Sequence, residues 1–178
     1  IIGVIPTEDT NGNVENRIKI VNVNLTTNRK WDDNGINDWT TATLNTYLNN
    51  TYYNTLSNTA KNMIGTTKYY LTSGTSTQVT IDNFWQNERK KDTTMEEYHF
   101  SRNQIMQADT NKKIALMYAS DYGYAASKKC TSNLYDYGNY VNCKTTNNWL
   151  DKGTDTWLLP QFTIDNNYVF FISFASYT

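Results

Sequence analysis

The sequence predicts an α+β fold: a single domain of mostly antiparallel short strands with a helical pair in the N-terminal third. Three observations predict it. Short apolar or alternating runs recur between turn residues, from Ile1–Ile5 to Tyr168–Phe174. One stretch, Trp39 to Ile64, carries apolar residues at three-four spacing. The strands do not alternate one for one with helices, as a parallel α/β sheet requires.

The 178 residues, 38% hydrophobic and 14% aromatic, suit one domain with a sizeable core. A net charge of -1 and a pI near 5.8 leave no basic footprint for nucleic acid. Charged residues supply 19%, and Asn with Thr supply more than a quarter of the chain. That polar, uncharged surface suits an exported protein. No window approaches 18 apolar residues, so no membrane span is predicted within residues 1–178. Both ends look like strand interiors, and we expect the domain to be cut from something longer.

In order, Ile1–Ile5 and Arg17–Val23 read as two strands of an antiparallel hairpin, turned at Asn11-Gly12. The second strand alternates polar and apolar, so it should have one buried face. Trp31-Asp32-Asp33-Asn34-Gly35 reads as a turn; it lacks the spacing of a calcium loop. The helical section follows, with Asp38 or Thr40 at its start. A break at Asn49-Asn50-Thr51 divides it into two helices, and Gly65 is placed to end the second. Trp39, Ala42, Leu44, Tyr47 and Leu48 form one core stripe; Tyr52, Tyr53, Leu56, Ala60, Met63 and Ile64 form the other. Thr67–Leu71 is a short strand, Thr72–Thr77 a turn, and Val79–Arg89 a short helix.

The richest stretch is Lys112–Trp157, the expected core with its most decorated surface. Ile114–Tyr118 reads as a central strand, broken at Ser120-Asp121, with Gly123 giving freedom at φ. Trp149 and Leu150 should pack inward. Trp157-Leu158-Leu159 reads as a buried strand ended by Pro160.

Twelve residues lie between Cys130 and Cys143. A disulfide suits the turn-rich loop and the surface composition. Two buried thiols are the alternative. A zinc site would need four ligands, and two cysteines with the lone His99 do not supply them. Tyr135, Tyr137 and Tyr140 on this loop, with Tyr124 before it, are the candidate binding residues. Rigid amphipathic rings on a stapled loop are what recognition surfaces use, and sugars stack on aromatic faces. Packing beneath the loop is the other use for them. For an enzyme, the available carboxylates are Glu96, Glu97, Asp121 and Asp136, which a glycosidase would need in a facing pair. His99 has no nucleophile elbow before it. No cofactor or metal is expected.

The order of several blocks carries a resemblance. It runs from Ile1-Ile2-Gly3-Val4 and Arg17-Ile18-Lys19-Ile20 through Asp38–Asn49, Ala60–Ile64 and Asn87-Glu88-Arg89. It continues with Leu116-Met117-Tyr118-Ala119-Ser120-Asp121-Tyr122-Gly123-Tyr124-Ala125, the two cysteines, Asn148-Trp149-Leu150 and Trp157–Pro160. Over nearly the whole chain it resembles an uncharacterised extracellular domain of low-GC Gram-positive bacteria. That domain occurs behind prepilin-type helices or in large cell-wall proteins. Its closing part resembles the C-type-lectin-like fold of formylglycine-generating-enzyme-like domains. This chain stops before the family's usual Val-Arg-Pro-Val-Leu-type strand, so a following strand or another subunit is expected there. The sugar-site signatures Glu-Pro-Asn and Trp-Asn-Asp of C-type lectins are absent.

The resemblance implies no catalytic residues. It implies a non-enzymatic cell-surface module, a pilin-like filament subunit or adhesin head, acting through self-assembly, other surface proteins or a glycan ligand. A carbohydrate-active enzyme using paired carboxylates is the competing expectation.

Overall fold

The computed structural model describes residues 1–24, 28–71, 73–74, 104–107, 113–134, 142–143, 147–162 and 167–172. Within them the fold is α+β. Strands β1 (Gly3–Glu8) and β2 (Val14–Lys19) form an antiparallel hairpin. Its turn is closed by Asp9, whose Oδ1 accepts from the Asn11 and Asn13 amides at 2.8 Å, while Gly12 takes a φ of 89°. The hairpin expected from Asn11-Gly12 is therefore present, with the second strand starting three residues earlier than read from the sequence.

The helical section runs without interruption through α1 (Thr43–Thr46), a π-helical stretch (Tyr47–Tyr52) and α2 (Tyr53–Thr55). The break read at Asn49-Asn50-Thr51 is instead this wider turn. Asn49 is buried there, and its side chain donates to Asn45 O and Ile114 O and accepts from Ile114 N. The chain breaks later, at Leu56. Ser57 then caps α3 (Asn58–Met63) by accepting from the Ala60 amide at 3.2 Å. Neither Asp38 nor Thr40 caps α1: Asp38 holds a local turn through Thr40. The amide of Thr43 donates to Asp32 Oδ1 instead, a cap supplied from the preceding loop. The second apolar stripe is half-buried at most, and Met63 is exposed, so α3 lies on the surface.

Gly65 is not a left-handed helix end. A Cβ there would meet the Arg17 guanidinium at 2.9 Å, so the missing side chain makes room for a cation.

Strands β3 (Lys68–Leu71) and β5 (Gln104–Gln107) pair antiparallel; β4 (Ser73–Gly74), read as turn, pairs in parallel with β6 (Thr156–Phe162). On its other edge β6 pairs antiparallel with β7 (Val169–Ile172). Pro160 does not end β6. It sits inside, where the register shifts between Trp157 and Gln161, because a residue without an N–H fits an irregularity in the ladder. Ile114–Tyr118 is not a strand: Asn49 occupies the backbone groups of Ile114, and one bond from Leu159 N to Met117 O ties the segment to β6. The Ser120-Asp121 break is the start of helix α4 (Ala119–Tyr124), with Gly123 in helical conformation inside it.

Strand β6 divides the core by its alternation. Leu158 joins Ala119, Tyr122, Ala125, Cys143, Leu150 and Ile172. Leu159 joins Trp31, Trp39, Ala42, Leu44 and Tyr118. The stretch around α4 is thus core, as expected. At residues 148–150 the inward side chains are Asn148 and Leu150, while Trp149 is exposed. Asn148 donates to Tyr122 O at 2.9 Å and accepts from Leu150 N, so a satisfied amide takes the place expected for the indole. Among the described residues no helix is long and apolar enough to cross a membrane.

Candidate functional site

The Cys130–Cys143 disulfide is formed, with a Cα separation of 5.0 Å. It ties the segment after α4 to the core, where Cys143 is buried. Tyr124, at the C-terminal end of α4, is 51% exposed. Tyr135, Tyr137 and Tyr140 lie outside the described residues, as do Glu96, Glu97, His99, Asp136 and the helix read over 79–89. Asp121 is not open to a substrate. It is 1% exposed, pairs with Lys19 Nζ and accepts from Tyr118 N at 2.9 Å. Among the described residues no three His, Cys, Asp or Glu side chains gather as a metal site would require.

The hairpin carries the least expected surface. Its alternation is real, but Ile18 and Ile20 face outward; in the segment read as the second strand, Arg17 and Lys19 share the inward side with Val21 and Val23, which pack against the core. Toward the body it turns Ile5, Arg17 and Lys19. Arg17 bridges to Glu15 and donates to Thr66 O, and Lys19 reaches Asp121 while lying 4.6 Å from the Tyr118 ring centroid. The opposite face presents Val4 and Ile18, directly paired, with Val14 and Ile20; these four are 62–69% exposed. Buried Asp121 decides the matter. A carboxylate removed from water needs a cation, and Lys19 on one face of β2 forces Ile18 and Ile20 onto the other. The acid standing inside the apolar Ile114–Ala125 block was the sequence signal for this arrangement.

A second feature is a cleft of about 220 Å³ between the loop 30–37 and strands β6 and β7. Trp31, Ile36, Trp157 and Val169 line it with Lys30, Asp32 and Asn37. Two indoles staple the loop to the sheet: Trp31 donates to Leu158 O at 3.3 Å, and Trp157 to Arg29 O at 2.8 Å. Asp32 organises the loop's interior, accepting from Thr43 N and Thr43 Oγ1 on one oxygen and from Asn34 N and Ile36 N on the other. Partial burial pushes its carboxyl up, but these donors outweigh that and hold it below the usual range. The segment read as a turn is therefore a turn, with Gly35 at a φ of 70°.

Compared with family models, with curated proteins and with solved structures, the chain has no match in any of the three.

Proposed function

We propose that the chain is a non-enzymatic extracellular module, a pilin-like filament subunit or adhesin head, that associates with copies of itself through the outer face of the hairpin. The observation carrying this is the exposed apolar group of Val4, Ile18 and Ile20, held outward by the Lys19–Asp121 pair, with Val14 further along the same face beyond Asn16 and opposite Glu8. Exposed contiguous apolar surface marks interaction sites. Among the described residues β1 and β2 pair only with each other, so both strands also leave backbone edges open, and an identical hairpin matches such an edge. A few side chains do not make up the ~800 Å² per partner of a standard interface, so one contact is weak and repetition along an assembly supplies the strength.

The disulfide supports an oxidising, extracellular compartment. The resemblance to Gram-positive surface domains and to the C-type-lectin-like fold belongs to the same proposal. The burial of Asp121 favours it over the paired-carboxylate enzyme, because it removes one candidate acid. A glycan contact through Tyr124, with Tyr135, Tyr137 and Tyr140, is a second reading, favoured by the exposed Tyr124 ring.

Sedimentation velocity over a concentration series tests the main reading. The parent chain should show weak, concentration-dependent association that a Val4→Lys/Ile18→Lys variant loses. A monomer at every concentration, or association indifferent to both lysines, contradicts it.

A further inference from the structure

We infer that the cleft between the loop 30–37 and strands β6 and β7 is a binding site for a single pyranose ring of a glycan. This site shares no residue with the Tyr124 surface or with the hairpin. Its volume, about 220 Å³, lies below the roughly 300–1,000 Å³ of pockets for drug-sized ligands and is on the scale of one six-membered sugar ring.

The lining matches what such a ring presents. A pyranose has an apolar C–H face and a rim of hydroxyls. The cleft offers the partly exposed Trp157 and Val169 and the exposed Ile36 as apolar surface over the buried Trp31, with polar groups beside them. An indole gives a flat electron-rich face for C–H groups, and Trp157 is held in place because its N–H is already committed to Arg29 O. Asp32 is spent on four loop donors, which leaves Lys30, exposed at the cleft, as the charged donor for sugar hydroxyls.

The walls are also preformed. The two indole staples and the bond from Asn37 Nδ2 to Tyr168 O at 2.8 Å fix the loop against β6 and the approach to β7. A ligand entering meets little ordering cost, which matters for a site this small. Affinity for one ring is expected in the millimolar range, and longer glycans would bind by repetition along an assembly.

The test is titration of the full chain with the methyl glycosides of glucose, galactose, N-acetylglucosamine and glucuronic acid, followed by intrinsic tryptophan fluorescence and by NMR of the indole N–H signals. At least one should give a saturable change. Trp157→Ala should abolish it, and Lys30→Ala should weaken it about five-fold. Tyr124→Ala should leave it unchanged. Since Trp157→Ala can disturb folding, Ile36→Ser on the exposed side of the cleft provides a second check and should also weaken binding. No saturable change with any of the four sugars, or binding that Lys30→Ala and Ile36→Ser leave intact, overturns the inference. Binding lost only with Tyr124→Ala transfers the ligand to the other surface. None of these outcomes bears on self-association through Val4 and Ile18, which sedimentation reads separately.

Discussion

In the hairpin, Arg17 and Lys19 face the body of the protein while Val4, Val14 and Ile18 face solvent. In the segment from Trp31 to Leu44, Trp31, Trp39, Ala42 and Leu44 face inward, Asp33 is exposed and Asp32 is half-buried among its loop donors. The same preference for burying apolar area governs both. They differ in what the body offers as partner. The Trp31 segment meets Leu159 and Tyr118, so apolar side chains gain by turning in. The hairpin meets Asp121 and the carbonyl of Thr66, so cations gain more. A strand's period tells which residues share a face; the neighbour decides which face is buried.

The contrast can be broken most severely at Lys19. Lys19→Met leaves a carboxylate buried without its partner, and we expect a loss of about 3–5 kcal/mol in urea unfolding at neutral pH. Reduction of Cys130–Cys143 comes next. Opening that loop should cost roughly 3 kcal/mol in the chain-entropy model and lower Tm by roughly 6–12 °C in calorimetry.

The tryptophan core allows a finer comparison. Trp31 donates to Leu158 O, whereas Trp39 Nε1 is the buried side-chain polar atom that finds no partner among the described residues. Both Trp→Phe changes remove the same ring volume. Trp31→Phe should therefore be worse by about 1 kcal/mol in chemical unfolding, the difference reporting the hydrogen bond. Equal losses would show that the bond contributes nothing.

Two acid–base transitions separate the regions further. Asp32 has a lowered carboxyl pKa in the folded chain, so its contribution is present above the unfolded carboxylate pKa. It is lost as pH falls through the folded value. Near-UV signals of Trp31 and Trp157 should change with acid before far-UV signals do, and simultaneous changes would contradict a locally organised loop. Tyr69 behaves in the opposite sense. Burial, with Asp121 adding to it, pushes its hydroxyl up to about 12, and the hydroxyl donates to Lys113 O. Stability is unaffected by Tyr69 below the unfolded pKa near 10 and falls as pH rises from there toward about 12. Tyr69→Phe should flatten that alkaline decline.

Much of the architecture was legible in the residues. Asn11-Gly12 placed the hairpin turn, the first three-four stripe placed the Trp39–Leu44 core, and the cysteine spacing suited the bridge that forms. What escaped depended on side chains replacing backbone partners across long separations. Asn49 turned Ile114 from a strand residue into a tethered extended segment, 65 residues away. Asp32 capped a helix whose start the sequence assigned to Asp38 or Thr40. Gly65 served Arg17, 48 positions earlier, instead of a helix end. Local pattern carries no record of such partners. The cleft escaped for the same reason, since its tryptophans stand in segments more than a hundred residues apart.

The most direct test is the double substitution Val4→Thr/Ile18→Thr, measured for both unfolding free energy and self-association. The outer face being solvent-exposed and used for contact, we expect stability within about 0.5 kcal/mol of the parent chain and a clear loss of association. A loss of several kcal/mol would mean that these side chains lie in a core and that the hairpin buries its apolar face after all.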